Sequence, residues 1–174
     1  MVAHGVPPGI GTHTNWDERL DGLLAQAVMS LQAVKAVEIG RGVTAAQSMG
    51  SLVHDAIGYA AEDGPSDTRF TRVGNNAGGM EGGISNGEDV TVRGYLKPIS
   101  TLRRPLASVS FETREPVKAA YERSDVCVVP AAGVAAEAMV AITLARLALE
   151  KFGGDSLPET QRNLQGYRDQ IRKF

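Results

Sequence analysis

The stretch Gly74-Asn75-Asn76-Ala77-Gly78-Gly79-Met80-Glu81-Gly82-Gly83-Ile84-Ser85-Asn86-Gly87 decides how this chain of 174 residues is read. Glycine has no Cβ, so such a run lets the backbone come close to a ligand and adopt positive φ. Turn N–H groups exposed in this way can hold a phosphate or the edge of a polar ring. The competing reading is a flexible surface loop. Linkers, however, are rich in Gly and Ser and lack this mixture of Asn, Met, Glu and Ile. The stretch is not a P-loop, because no Gly-Lys-Ser/Thr follows. It is not a dinucleotide fingerprint either, because no G-x-G-x-x-G stands between a strand and a helix. Between Val73 and Gly94 lie seven of the chain's 20 glycines.

Upstream of this stretch, Leu20, Leu23, Leu24, Ala27, Val28 and Leu31 recur at helical spacing and predict a helix over 16–31. Thr14 or Asn15 would cap it, and Asp17 and Glu18 would face its positive end. The β-branched run Val34 to Ile39, closed by Gly40 and Gly42, predicts a strand. A weaker helical pattern covers 45–60. Downstream, strands are expected over 90–95 and 107–111, with Pro98 interrupting any central strand between them. A short buried strand over 126–129 precedes an apolar helix running to about Lys151, stopped by Gly153 and Gly154. That helix is apolar nearly all round, so it belongs in the core or in an oligomer contact. Ser156 and Glu159 form a capping box for a final polar helix. The alternation of elements makes the chain α/β, a single region over 1–174.

Composition removes several classes of function. Eighteen basic and twenty acidic residues give a net charge of −2, so no global positive field exists for a nucleic-acid backbone or an anionic membrane. Hydrophobic residues make up 43% and charged residues 22%, which is globular composition. Glu137 and Arg146 interrupt the longest apolar stretch, so no membrane span is expected. The first residues carry no basic and apolar targeting pattern, and a cytoplasmic location is expected. A lone cysteine, Cys127, makes no internal disulfide and reads as packing rather than as a nucleophile. His4, His13 and His54 lack metal-ligand spacing, so no metal site is expected.

Charge is unevenly placed. From Arg93 to Arg123 there are seven basic residues and three acidic ones, enough to hold an anion in a slightly acidic chain. Lys97-Pro98-Ile99-Ser100-Thr101 offers an ammonium and two hydroxyls on a proline-fixed segment, though any surface turn could look the same. Arg123 and Asp125, two positions apart, can face one side of a strand lead-in and pair an anion binder with a carboxylate. An ordinary salt bridge is the alternative.

Three strings in order resemble the C-terminal half of the chorismate synthase family. They are Asn75 to Gly87, Lys97-Pro98-Ile99-Ser100-Thr101-Leu102, and Arg123-Ser124-Asp125-Val126-Cys127-Val128-Val129-Pro130 continuing to Met139. Weaker agreement extends over the rest of the chain. The family's Gly-Glu-Ser-His motif, second histidine and Ser-Ala-Arg loop are not in this sequence, and the three histidines present lie in other contexts. The resemblance implies a β-α-β sandwich with helices packed between sheets, of which this chain is about half and the N-terminal half is absent. It also implies a homotetramer, reduced FMN as cofactor and NADP among the associated ligands. The substrate would be 5-enolpyruvylshikimate 3-phosphate, losing phosphate to give chorismate, with little activity from this piece alone. Carried over by position, Gln32, Ala33, Gly82, Lys97, Pro98, Ile99, Ser100, Thr101 and Arg123 would contact FMN. Arg123 would also lie near the substrate, and Asp125 would be the catalytic carboxylate near flavin N5. A non-catalytic folding or oligomerisation module descended from the same half is the other expectation.

Overall fold

Residues 1–60, 68–122 and 126–173 are described by the structure, a computed structural model. Its central pair is β2 (Val34–Ile39) and β7 (Val90–Leu96), both rich in the β-branched residues that suit a pleated surface. They run antiparallel, with Val34 opposite Leu96, Val37 opposite Gly94 and Ile39 opposite Val92. A register shift falls between Val34 and Ala36. β1 (Val2–Ala3) pairs with the other edge of β7, giving the order β1-β7-β2. Val90 and Val92 are buried, while Arg93 and Tyr95 on the opposite face are exposed, as the two-residue period of a strand requires.

One face of this sheet is covered by α1 (Leu20–Met29), whose Leu20, Leu24, Ala27 and Val28 form a buried stripe. The long helix α3 (Val129–Phe152) packs on α1, and α4 (Leu157–Ile171) packs on α3. Together they enclose a core of Ile10, Leu20, Leu24, Val28, Val34, Val90, Val92, Val140, Leu147 and Phe152. By length and composition α3 could cross a membrane, but its Val140, Leu147 and Phe152 are committed to this core. Among the described residues three small antiparallel pairs complete the strands: β3 (Ile57–Tyr59) with β4 (Phe70–Arg72), β5 (Met80–Glu81) with β6 (Ile84–Ser85), and β8 (Ala107–Val109) with β9 (Pro116–Lys118). Buried Ser85 fastens the N-terminal segment to β6. Its hydroxyl donates to the Pro7 carbonyl at 2.6 Å and accepts from the Ile10 N–H at 2.8 Å.

The α/β class holds, and several local expectations need correction. Helix α1 begins at Leu20 rather than Trp16. Asn15 and Glu18 bond to each other in a separate turn, and the Leu20 N–H is satisfied by the Gly83 carbonyl at 2.9 Å. The helical pattern over 45–60 yields only α2 (Val43–Ala46), a 3-10 turn at Gly50–Leu52 and then β3. Gly50 and Gly58 make a continuous helix costly there, and the Arg41 guanidinium draws in the Leu52 carbonyl at 2.9 Å. No strand forms at 126–129. Val126 is 89% exposed, and Val129 already begins α3, because Pro130 at the first turn suits a helix start and has no N–H to offer a ladder. Cys127 is exposed, not packed. The apolar helix is buried at Ala136, Val140, Leu147 and Phe152 only. Ser156 is the N-cap of α4 as expected, but its hydroxyl makes no capping bond, and Glu159 instead accepts from the Asp155 N–H at 3.0 Å.

Leu24 is fully buried at the centre of this arrangement. Leu24→Ala should cost about 3 kcal/mol of stability, read as a lower urea midpoint with an unchanged slope. Leu102→Ala, on an exposed segment, should cost less than about 0.5 kcal/mol.

Candidate functional site

The end of the sheet where α1 hands over to β2 brings together two of the segments singled out in the sequence. The chain turns sharply there, with the Val34 N–H on the Leu31 carbonyl at 3.3 Å and Ala33 at φ 69°. The left-handed region is costly for a residue with a Cβ, so this turn is imposed by its surroundings. The Ala33 carbonyl then accepts the Lys97 N–H at 2.8 Å, which prolongs the β2–β7 ladder by one step. Gln32 and Ala33 are thereby fixed beside Lys97 and Pro98. Gln32, Lys97, Pro98 and Ser100 are exposed, and Ile99 and Thr101 are half-buried. The Thr101 hydroxyl donates to the Glu122 carbonyl at 3.0 Å. It ties the end of the Lys97–Thr101 segment to the residue that precedes Arg123. Arg123 and Asp125 themselves lie outside the described residues.

Gly82 belongs to the opposite end of the sheet. Ile39, Met80, Glu81 and Gly82 line a cleft of about 420 Å³ with Asp21, His54 and Asp55, at the N-terminal end of α1. The two ends are separated by the length of β2, five steps of extended chain or about 17 Å. The expected flavin contacts therefore divide into a Gln32, Ala33 and Lys97–Thr101 group and a lone Gly82.

The glycine stretch has an unforeseen role. At Gly40 and Gly78 two backbone segments touch: a Cβ on Gly40 would lie 2.2 Å from the Asn76 carbonyl oxygen and 2.6 Å from the Gly78 nitrogen. The run is thus used to let chain cross chain inside the protein. Gly82 differs, at φ 62° with nothing within 4 Å of where a Cβ would be, so only there does the turn face open space within the cleft.

A carboxylate that the sequence reading passed over holds this turn. Asp55 Oδ1 accepts from the Asn76 N–H at 3.0 Å and from Asn76 Nδ2 at 2.8 Å, and its Oδ2 accepts from the Ala77 N–H at 3.0 Å. Partial burial pushes its pKa up, but the Asn76 and Ala77 donors outweigh that and hold it below the ordinary carboxylate value. Asn75 closes the turn from within, its Oδ1 accepting from the Gly79 N–H at 2.7 Å and its Nδ2 donating to the Asp89 carbonyl at 2.8 Å. Beside it, Glu81 accepts from Asn86 Nδ2 at 3.0 Å and from Arg72 at 2.8 Å. Its pKa is lowered by Asn86 first, then, against some burial, by Arg72. On the outer face of the sheet Glu38 accepts from the Tyr95 hydroxyl, from Arg93 at 3.1 Å and from the Val43 N–H at 3.2 Å, with its pKa lowered chiefly by Tyr95. Glu38 and Arg93 are cross-strand partners, a pairing that sequence spacing alone does not announce.

Fold and site together define an α/β protein whose antiparallel sheet carries a carboxylate-braced glycine turn at one end and a lysine-proline segment at the other. The chain belongs to the chorismate synthase family, whose model matches residues 1–149. It is 79% identical over its whole length to the chorismate synthase of Acidobacterium capsulatum and 70% identical to that of Koribacter versatilis, covering 44% of each. A crystal structure of a chorismate synthase superposes with a TM-score of 0.80 at 42% identity, over 99% of this chain and 43% of that one. The chain thus spans less than half the length of the relatives it matches.

Because the folded pKa of Asp55 lies below its unfolded value, its contribution to the turn is complete above the ordinary carboxylate value and is lost as pH falls through the lowered one. The protection factors of the Asn76 and Ala77 amides, measured against the intrinsic exchange rate at each pH, should therefore fall on acidification. Asp55→Asn should lower those protection factors at neutral pH and remove their acid-side dependence.

Proposed function

We propose that this chain supplies the C-terminal part of a chorismate synthase, a flavin-dependent lyase that removes phosphate and a proton from 5-enolpyruvylshikimate 3-phosphate to give chorismate. The observation that carries this reading is the 79% identity to a chorismate synthase along the entire chain. On this reading the full enzyme is a cytoplasmic homotetramer, with NADP entering through the flavin's reduction.

The residues fit one part of an FMN site. An exposed ammonium at Lys97, an exposed hydroxyl at Ser100 and the braced turn at Ala33 offer donors and positive charge on one side of the sheet, as a phosphorylated, hydrogen-bonding cofactor needs. Gly82, open on its Cβ side, offers a place where a flat ring could approach backbone closely. Reduced FMN would supply electron density to the reacting allylic system when bound. Lys97 and Ser100 would hold and orient the cofactor, and Thr101, through Glu122, would set where Arg123 and Asp125 enter. Arg123 would balance negative charge on cofactor and substrate, including charge that grows on the departing phosphate. Asp125 would accept or hold a proton near the flavin.

The direct test is a titration of the chain with oxidised FMN and substrate, followed by flavin absorbance. A saturable spectral change that weakens about tenfold in Lys97→Met, or about 1.4 kcal/mol, supports the reading. No change at high concentration favours the folding-module alternative. In a chain carrying both halves, Asp125→Asn should lower turnover far more than flavin affinity. Equal turnover of variant and parent would remove Asp125 from the chemistry.

A further inference from the structure

Helix α4 lies beyond the residues matched by the family model, and it reaches back to the N-terminal segment. It is docked first on the end of α3. The Thr160 hydroxyl donates to the Gly153 carbonyl at 2.7 Å and Asn163 Nδ2 to the Phe152 carbonyl at 2.8 Å, so carbonyls that a helix C-terminus leaves without partners are satisfied from α4. That docking brings the Tyr167 ring against Phe152, with centroids 5.6 Å apart, and places the Lys151 ammonium 4.5 Å from the Tyr167 ring centre. A ring held from two sides has one aim. Its hydroxyl donates to the Pro8 carbonyl at 2.9 Å, across 159 residues of chain. Gly9 makes room for it, since a Cβ there would stand 2.9 Å from the Tyr167 hydroxyl oxygen.

The segment that Tyr167 holds is the one on which the Gly82 turn is registered. The Pro7 carbonyl accepts the Ser85 hydroxyl, the Gly9 N–H donates to the Ser85 carbonyl at 2.8 Å, and the Ser85 N–H donates to the Ile10 carbonyl at 2.9 Å. Ser85 ends β6. Between β5 and β6 stand only Gly82 and Gly83, at φ 62° and 93°, the positive pair of a tight two-residue hairpin loop. In so short a loop the direction of Gly82 follows the β5–β6 register. The N-terminal segment also lies on the loop itself, because a Cβ on Gly83 would stand 2.7 Å from the Thr12 carbonyl oxygen. The path from Pro8 to Gly82 therefore runs through hydrogen bonds and backbone contact at each step.

We infer that Tyr167 is a positioning residue for the cofactor turn: through Pro8 and Ser85 it fixes the place of Gly82 in the cleft. The inference rests on the proposed reading of Gly82 as a flavin contact, and its test separates the two.

Tyr167→Phe keeps the ring and its Phe152 and Lys151 neighbours and removes the one donor to Pro8. In the 174-residue chain, protection factors of the Gly9, Ile10 and Ser85 amides should fall about fivefold, the effect of one neutral hydrogen bond. Those of Gly40 and Lys97, bonded to the Thr91 carbonyl at 3.2 Å and the Ala33 carbonyl at 2.8 Å, should stay at parent values. Affinity for oxidised FMN, read by flavin absorbance, should fall by a similar factor. Gly9→Ala is the independent variant, because its methyl group meets the Tyr167 hydroxyl. The Gly9→Ala/Tyr167→Phe double variant should lose less protection than the product of the two single losses, since phenylalanine lacks the clashing oxygen. Unchanged protection at Gly9 and Ser85 in Tyr167→Phe overturns the inference, as does a uniform loss that includes Lys97, or single losses that multiply in full. Unchanged FMN affinity beside lowered protection overturns it too. A parent chain that binds no FMN counts against the flavin reading alone, and protection at Gly9 and Ser85 then decides whether Tyr167 fixes the turn.

Discussion

The antiparallel pairing of β2 with β7 is the constraint from which the rest follows. It puts Val34, Val90 and Val92 on the face that α1 covers, and so fixes where Leu20, Leu24 and Val28 are buried. It also has two ends, and each end places one group of candidate site residues. At one, the ladder is extended by the Ala33–Lys97 bond. At the other, Gly40 emerges from β2 directly against Gly78, and the contact is so close that neither position tolerates a side chain. A slip of one residue in this register would turn Arg93 and Tyr95 inward and dismantle both ends at once.

The Lys97 end carries an exposed ammonium and the exposed Ser100, and the Gly82 end has an open backbone surface in a cleft. The two groups lie the length of β2 apart, about 17 Å.

Periodic features were legible in the sequence. The spacing of Leu20, Leu24 and Val28, the β-branched run from Val34, and the strand after Val90 all appear where the pattern placed them, because local burial and local propensity agree there. Expectations failed where partners distant in sequence decide. The helix start moved to Leu20 because Gly83 supplies its N–H partner. The pattern after Ala45 dissolved into a short helix, a 3-10 turn and a strand whose partner lies at Phe70 to Arg72. Residues 126–129 have the composition of a strand but no neighbour to pair with, and Pro130 makes them a helix lead-in. Asp55 stands 21 residues before the turn it braces, and no spacing rule connects them. The glycines were correctly singled out, but a lack of side chains says only that something comes close. At Gly40 and Gly78 that something is the protein's own backbone.

The β8–β9 hairpin has a further consequence. Its base is closed where Thr101 meets Glu122, every residue of both strands is exposed, and Phe111 at its tip is 99% so. The Lys97–Thr101 segment and the approach to Arg123 are therefore neighbours through the base alone, and the intervening chain is an appended loop whose length does not set their distance. Loop closure grows only logarithmically with length, about 0.6 kcal/mol for each doubling. Insertions or deletions near Phe111 thus meet little thermodynamic resistance. The geometry between the two segments can stay fixed while the hairpin's outer end is free to diverge.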